Sequence, residues 1–338
     1  MAKILVVGGA GYIGAHACKA LAARGDEPVV FDNLSSGHEH AVKWGPLIRG
    51  DICNRADLDR AFAACRPAAV MHFAANIEVG EGQRFPLRFW NNNVAGVVSL
   101  LSAMERAGAQ SLVFSSTCAV YGEPETVPIT EAESCKPISV YGRTKRAVEQ
   151  LLADVSSVDG VRYAALRYFN AAGASSDGEI GEEHDPETHL IPNALKAAAG
   201  IGGRMKLFGT DYDTRDGTCI RDYIHVMDLA DAHLAALDRL MSGERKIVAN
   251  LGTGHGASVL EVLGAVEKVT GFKVPRELFP RRPGDAPVLS ADISHARAAL
   301  EFQPKRSDIE TIIADAWRFH RKVWGLTNTE QHAGTLGA

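Results

Sequence analysis

A glycine-rich turn between a short apolar run and a helical pattern constrains this chain more than any other feature. Residues 3–7 (KILVV) are almost entirely apolar, as expected for a parallel strand that is buried on both faces. The turn that follows, Gly8 to Gly14 (GGAGYIG), has the spacing G-x-x-G-x-x-G, and a helical pattern runs from Tyr12 to Arg24. Glycines let the backbone approach a pyrophosphate, and a helix N-terminus offers free N–H groups. The segment therefore predicts a dinucleotide-binding turn.

The next predicted strand ends at an acidic residue, Asp32. A carboxylate at this position can accept hydrogen bonds from both hydroxyls of an adenosine ribose and would repel a 2′-phosphate. The pattern therefore favours NAD over NADP as the cofactor.

Strand and helix patterns alternate through the first half of the chain and become irregular after residue 170. Beyond residue 32 the pattern predicts strands at 47–48, 68–75, 111–116, 161–169 and 247–251. It predicts helices at 93–107, 141–155, 192–200, 227–242, 257–270 and 307–324, and a long polar loop at 171–189. This order predicts an α/β fold, a Rossmann-type doubly wound parallel sheet with a smaller, interleaved C-terminal α/β substrate domain.

The domain boundaries follow from this change of rhythm. We expect an NAD-binding domain of residues 1–169 and about 219–251, a substrate domain of about 170–218 and 252–325, and a tail of 326–338.

Composition excludes several classes of protein. The net charge of −5 gives no basic field for a nucleic acid. No stretch of about 18 apolar residues occurs, so we expect no membrane span, and the opening apolar run is too short for a signal peptide. The six cysteines are dispersed without a CxxC pair, which predicts free thiols in a reducing cytoplasm.

Three side chains form a candidate proton-transfer site. Tyr141 and Lys145 have the i, i+4 spacing of one helix face. A phenol with a pKa of about 10 is a poor base at neutral pH, but a neighbouring ammonium and a positive nicotinamide favour the phenolate. Thr117 follows the strand at 111–116, where open α/β sheets place ligand contacts, so its hydroxyl can bind the same substrate oxygen.

With five further motifs, these residues resemble the UDP-glucose 4-epimerases, which are extended short-chain dehydrogenases. The motifs are SSTCAVYG at 115–122, RYFN at 167–170, GTCIRDYIHVMD at 217–228, NLGTG at 250–254 and RRPGD at 281–285. They occur in the family's order over about residues 3–324, and the bacterial epimerases that serve exopolysaccharide synthesis look most similar.

The resemblance implies a role for each matching position. Tyr141, Lys145 and Thr117 would be catalytic. The implied cofactor-binding residues are Gly8, Gly11, Tyr12, Ile13, Gly14, Asp32, Asn33, Asp51, Ile52, Phe73, Ala74, Ala75, Asn92, Tyr141, Lys145 and Phe169. The implied substrate-binding residues are Thr117, Tyr141, Asn170, His189, Leu190, Leu207, Phe208, Arg221, Arg282, Asp285 and Leu289. The two arginines would hold the UDP pyrophosphate, since guanidinium forks fit phosphate oxygens.

The reaction that the resemblance implies is reversible C4 epimerisation of UDP-glucose and UDP-galactose. The Tyr141 phenolate would remove the proton of the 4-hydroxyl, the C4 hydride would pass to NAD, and the 4-keto sugar would rotate about its anchored UDP. The hydride would then return to the opposite face, so NAD would remain bound. Binding energy from the remote UDP would leave the sugar pocket loose enough for that rotation.

Three alternatives remain open at this stage. A UDP-xylose/UDP-arabinose 4-epimerase would share these motifs. A nucleotide-sugar 4,6-dehydratase needs an Asp-Glu pair after the Ser/Thr, where this chain has Cys118 and Ala119. A non-enzymatic NAD-binding protein would lose the Tyr/Lys pair, which is intact here.

Two positions depart from well-known relatives. Ile77 stands where those relatives have a lysine near the cofactor and sugar. Leu289 stands at a pocket-wall position and is bulkier than the small residue of relatives that accept N-acetyl sugars, so we expect N-acetylhexosamines to be excluded.

Two further expectations concern metals and assembly. The acidic and histidine residues between Glu182 and His189 have the spacing of no common metal site, so we predict no metal. Helices 93–107 and 141–155 each carry an extra apolar stripe, and in the family these helices pair across a two-fold axis, which implies a homodimer.

Overall fold

The computed structural model describes residues 1–158, 160–282 and 284–326. The expected tail of 326–338 lies outside these ranges apart from Leu326.

The strands are β1 Lys3–Val7, β2 Glu27–Asp32, β3 Leu47–Arg49, β4 Ala69–His72, β5 Ser111–Ser115, β6 Arg162–Tyr168, β7 Asn170–Ala172, β8 Met205–Phe208, β9 Ile220–Arg221, β10 Tyr223–His225, β11 Lys246–Leu251, β12 Ala257–Ser258, β13 Arg276–Phe279 and β14 Val288–Leu289. The helices are α1 Tyr12–Ala23, α2 Arg55–Cys65, α3 Val79–Arg84, α4 Pro86–Trp90, α5 Gly96–Ala107, α6 Val140–Val158, α7 Leu190–Ala198, α8 Val226–Met241, α9 Val259–Thr270, α10 Ser294–Leu300 and α11 Ile309–Val323.

Seven strands of the described chain form one parallel sheet, in the order β11-β6-β5-β4-β1-β2-β3. The chain builds outward from β1 to β3, returns to pair β4 with the other side of β1, and continues to β11. The strand order therefore reverses between β1 and β4, and a crevice opens at the carboxyl ends of strands at such a reversal. This sheet confirms the predicted α/β fold.

Apolar layers cover both faces of the sheet. Helices α1 and α8 pack on one face, with Leu21 and Leu237 in their core. Helices α2, α5 and α6 pack on the other face, with Leu58, Leu100 and Val148 buried. Each face therefore carries helices, as a parallel sheet requires.

A third apolar cluster joins α7, α9 and α11 away from the sheet. Its separation from the other clusters supports our proposed division into an NAD-binding and a substrate domain. Helix α10 falls within the proposed substrate domain by sequence, but Ala296 and Leu300 pack into the layer of α1 and α8. We therefore propose that this helix belongs with the sheet.

The predicted elements are present, with shifted ends, and some elements were missed. Helix α2 was missed although Leu58, Ala61, Phe62 and Cys65 form an apolar face, and the side chain of Asn54 caps its N-terminus. The strand predicted at 68–75 ends at His72, since its last residues form the cleft wall described below. None of the helices in the described part of the chain combines the length and apolar character that crossing a membrane requires.

Candidate active site

A cleft of about 1250 Å³ lies at the carboxyl edge of the sheet. All the residues predicted to bind cofactor or substrate lie in the described chain, and all except Asp51 and Leu289 line this cleft. Positions far apart in sequence, such as Gly8, Tyr141 and Arg282, therefore share one cavity.

The glycine turn fits a phosphate group at the start of α1. Gly8 has φ +81°, and a Cβ there would lie 2.4 Å from the backbone nitrogen of Ala74. A Cβ on Gly14 would lie 2.2 Å from the carbonyl oxygen of Gly8. Helix α1 begins at Tyr12, and its N-cap residue, Gly11, has no side chain to cap it, so the first N–H groups can bind an anion.

Asp32 lies at the end of β2, where an adenosine ribose is expected. Its carboxylate is mostly buried and accepts hydrogen bonds from the backbone N–H groups of Ala10 (3.0 Å) and Leu34 (2.9 Å). Each carboxylate oxygen has a second lone pair that a ribose hydroxyl can use. Asp51 does not line the cleft, but the side-chain amide of Asn33 donates to it at 3.1 Å. Asp51 can therefore position Asn33.

Lys145 is buried beneath Tyr141 on helix α6. Its Nζ atom donates to the carbonyl oxygen of Ser115 at 2.6 Å and lies 5.8 Å from the centre of the Tyr141 ring. Thr117 caps the short turn after β5, and its hydroxyl accepts from the N–H of Ala119 at 3.2 Å. The three predicted catalytic residues thus meet where β5 faces α6.

Burial shifts the pKa values of this pair in opposite directions. Desolvation raises the pKa of Tyr141 well above 10, and the adjacent Thr117 hydroxyl only partly offsets this shift. Desolvation also lowers the pKa of Lys145 to about 7, although the negative charge of Glu149 acts to raise it. In the protein alone burial therefore opposes both charged forms, and the expectation that the Lys145 ammonium and the positive nicotinamide together favour the phenolate stays a prediction.

An asparagine that sequence reasoning missed connects the cleft to α6. Asn93 accepts from the N–H of Asn76 (2.8 Å) and donates to the carbonyl oxygen of Asn76 (2.9 Å) and to the hydroxyl of Thr144 (3.1 Å). It lies in a π-helical turn, a conformation frequent at functional sites, next to the predicted cofactor residue Asn92. The run of three asparagines at 91–93 was the available signal.

A buried ion pair lies behind the same helix. The carboxylate of Glu149 accepts from Arg167 Nη2 at 2.6 Å and Nε at 2.8 Å, and from the hydroxyl of Ser116 at 2.6 Å. Arg167 also donates to the hydroxyl of Tyr121 at 2.9 Å. These bonds join α6 to strands β5 and β6.

Cationic side chains line the other end of the cleft. Arg221 donates to Asp285 at 2.9 Å, and the guanidinium of Arg282 lies 4.1 Å from the centre of the Phe208 ring. Both groups suit a diphosphate with an attached nucleoside. Leu289 packs against the apolar cluster that contains Phe169 and does not line the cleft. Its predicted place on the pocket wall stays a prediction: β14 pairs with β9, and Leu289 lies opposite Arg221, which does line the cleft.

Four residues dismissed as a polar loop lie together on the cleft wall. One potential ligand atom from each of Glu182, His184, Glu187 and His189 lies within 4.8 Å of all the others. Burial lowers the pKa of His189, but the two carboxylates outweigh it and raise the pKa to about 10. The spacing along the chain hid this cluster because a turn folds the segment back on itself.

Comparison with known proteins places this cleft in a family. The model of the family described as "NAD dependent epimerase/dehydratase family" matches residues 4–252. A UDP-glucose 4-epimerase of Rhizobium leguminosarum bv. trifolii is 53% identical over 94% of this chain and 97% of its own length.

Solved structures of UDP-glucose 4-epimerases are similar to this chain over nearly its whole length. The UDP-glucose 4-epimerase of Brucella ovis in complex with NAD is 49% identical, with a TM-score of 0.92 over 94% of this chain and 98% of its own. That of Stenotrophomonas maltophila, with bound NAD and formylated UDP-arabinopyranose, is 40% identical, with a TM-score of 0.93 over 97% of this chain and 100% of its own. The chain therefore belongs to the NAD dependent epimerase/dehydratase family.

Proposed function

We propose that this chain catalyses the reversible C4 epimerisation of UDP-glucose and UDP-galactose, with NAD as a resident cofactor. One observation carries the proposal: a single cleft joins the glycine turn, the Tyr141–Lys145–Thr117 group and the arginine pair. The glycine turn is suited to bind a dinucleotide, and the Tyr141 group to exchange a proton with a hydroxyl. The arginine pair is suited to bind a diphosphate. Relatives that share up to 53% of the sequence are UDP-glucose 4-epimerases.

The glycine turn and Asp32 fit NAD. We propose that the N-terminus of α1 holds the pyrophosphate and that Asp32 binds the adenosine ribose, where a 2′-phosphate would meet its negative charge. When bound, NAD supplies a hydride acceptor for C4 of the sugar and a positive charge beside the phenol. Ile77 lines the cleft without adding a charge of its own.

Tyr141 is the proposed base for the sugar 4-hydroxyl. Tyr141 is half-buried in the cleft wall, and desolvation raises the pKa of its phenol, so positive charge nearby is needed to favour the phenolate. Lys145 is positioned to provide part of that charge, because Ser115 holds its Nζ atom beneath the Tyr141 ring. Thr117 is proposed to hydrogen-bond the same sugar oxygen and to hold it near the phenol.

Arg221 and Arg282 are proposed to anchor the UDP diphosphate, and Asp285 the uridine ribose. With the diphosphate anchored there, the sugar could turn while its nucleotide remains fixed. Asn170, His189, Leu190, Leu207 and Phe208 also line the cleft and complete the proposed substrate site. Exclusion of N-acetyl sugars stays a prediction; Leu289 is partly buried against the cluster that contains Phe169.

The alternative reactions have less support. Cys118 and Ala119 follow Thr117 in the turn after β5, where a dehydratase would need an acid and a base. Burial raises the pKa of Cys118 to about 12, which makes this thiol a poor proton donor at neutral pH. A pentose epimerase would use the same cleft, and the experiment below distinguishes it.

We also propose a homodimer in the cytoplasm. Trp90 at the end of α4 and Val98 on α5 are 39% and 46% exposed, and Leu151 and Val155 of α6 are only partly buried. Together they give α5 and α6 an apolar surface that a second copy could cover. The six cysteines, all within the described residues, are free thiols, which supports a reducing compartment.

Turnover by the purified protein without added NAD tests the proposal. UDP-galactose and UDP-xylose would be offered separately and the products separated by chromatography. We expect UDP-glucose from UDP-galactose at the higher rate. Faster conversion of UDP-xylose would favour the pentose reaction, and no 4-epimer from either substrate after NAD is supplied would refute the epimerase.

A further inference from the structure

Two histidines and two glutamates converge on one point in the segment that precedes α7. The Nδ1 atom of His189 lies 2.7 Å from Glu182 Oε1 and 3.3 Å from Glu187 Oε1. The Nδ1 atom of His184 lies 3.3 Å from Glu182 Oε1 and 3.8 Å from Glu187 Oε2. Each imidazole nitrogen therefore faces both carboxylates.

Hydrogen bonds of good geometry do not saturate this arrangement. Both Nδ1 atoms are buried and lie within ion-pair distance of the carboxylates, but neither meets the geometry of a hydrogen bond among the described residues. A single Nδ1–H can point to only one carboxylate oxygen at a time. A cation at the centre would contact two nitrogens and two oxygens together, which the convergence of these four side chains allows.

The donor set selects the class of cation. Mg²⁺ and Ca²⁺ prefer oxygen ligands, whereas two imidazoles and two carboxylates suit Zn²⁺ and related transition metals. Bonds of about 2.1 Å in a tetrahedron place neighbouring ligand atoms about 3.4 Å apart. The four imidazole–carboxylate distances, which involve Oε1 of Glu182 and both carboxylate oxygens of Glu187, are 2.7 to 3.8 Å, and one ligand atom from each residue lies within 4.8 Å of the others.

The surrounding structure holds the ligands in place. Glu187 Oε1 accepts from the backbone N–H groups of Thr188 (2.7 Å) and His189 (2.8 Å), which orients the carboxylate. The side chains of Glu182 and Glu187 are 4% and 3% exposed. His320, which is 4% exposed, lies within electrostatic reach of both glutamates, and its Nδ1 atom also has no partner among the described residues. Several buried polar atoms around the cluster therefore have no hydrogen-bond partner among the described residues.

We propose that Glu182, His184, Glu187 and His189 form a closed, structural site for one divalent transition-metal ion of the Zn²⁺ class. Four protein ligands leave no open position for a reacting water, which is the pattern of structural sites. The ion would tie the loop before α7 to His189, the N-cap of that helix, and so stabilise one wall of the cleft. Ligation through Nδ1 leaves Nε2 of His189 free for the substrate.

The test uses the purified protein with its NAD, treated with a chelator and then titrated with Zn²⁺ alone. We expect one zinc ion per chain after desalting, measured by elemental analysis, and a higher thermal midpoint than in the chelated protein. His184→Ala should weaken zinc binding at least about tenfold. His40→Ala is the matched control and should retain the zinc, because the exposed His40 pairs with Glu183 of the same loop and stacks on His38 rather than on a proposed ligand.

Two results would overturn the proposal: clearly less than one zinc per chain in the unsubstituted protein, or full zinc retention by His184→Ala. Co²⁺ substitution gives an independent reading that needs no variant. Intense visible bands of four-coordinate cobalt are expected, and the weak bands of a six-coordinate ion would also refute a closed site.

Discussion

Replacing Glu149 with glutamine tests whether a buried ion pair holds the helix that carries Tyr141 and Lys145. The side chains of Glu149 and Arg167 are 3% and 5% exposed and share two hydrogen bonds. Burial raises the pKa of Glu149, but the bonds from Arg167 outweigh burial and hold that pKa below its usual value. Glutamine keeps the shape and removes the charge, which leaves the buried Arg167 guanidinium without its counter-charge. We expect the free energy of unfolding to fall by about 3–5 kcal/mol.

Urea unfolding followed by circular dichroism at pH 7 measures this loss. Because the folded-state pKa is lowered, the carboxylate's contribution is present above the unfolded pKa of about 4.3 and is lost as the pH falls further. Glu310→Gln is the matched control: it removes an exposed pair with Lys268 and should cost at most about 1 kcal/mol. The double variant Glu149→Gln/Arg167→Met should be more stable than Glu149→Gln alone. Equal losses for Glu149→Gln and Glu310→Gln would refute the reasoning.

Four other predictions concern cofactor, chemistry, pH and assembly. Gly14→Ala should lower the NAD content of purified protein about tenfold or more, equivalent to about 1.4 kcal/mol, because its Cβ would lie 2.2 Å from a loop carbonyl oxygen. Gly264→Ala, whose Cβ meets no described atom within 4 Å, should retain NAD. Tyr141→Phe should lower kcat with UDP-galactose about 10²- to 10⁴-fold and keep its NAD; near-normal turnover would exclude Tyr141 as the base. Burial lowers the pKa of His72 from 6.5 to about 3, so the folded protein keeps this imidazole neutral while the unfolded chain protonates it below pH 6.5. The free energy of unfolding should therefore fall by about 1.4 kcal/mol for each pH unit below 6.5. His72→Phe should flatten the dependence of urea unfolding on pH between 5 and 6.5, and an unchanged slope would contradict this account. Val98→Asp should yield monomers in light scattering, whereas an intact dimer would place the interface elsewhere.

Local features of the sequence were sufficient for the fold class and the centre of the proposed site. The glycine turn, the apolar strand before it and the helix after it are contiguous, so their order alone predicts a phosphate-binding turn. Tyr141 and Lys145 share a helix face because their spacing is close to one turn. Resemblance to a family supplied the residues farther along the chain, such as Arg282, whose sequence surroundings are not distinctive.

Other features depend on contacts between distant or folded-back segments, which periodicity does not encode. Asn93 contacts Thr144, and Glu149 contacts Arg167, only because the sheet brings separate helices and strands together. The downward shift of the Lys145 pKa required its burial to be known.

Neither the cluster of glutamates and histidines nor the surroundings of Leu289 can be judged from spacing alone. Spacing along the chain predicts no metal site, yet the turn before α7 brings four potential ligand atoms within 4.8 Å. The place of Leu289 on the pocket wall stays a prediction, because its packing against an apolar cluster depends on the pairing of distant strands. The sequence by itself determined the strand–turn–helix unit and the helical spacing, since both depend on neighbours in the chain. Tertiary structure alone decided which side chains meet and which are deprived of water, because burial and long-range pairing arise only when the whole chain packs.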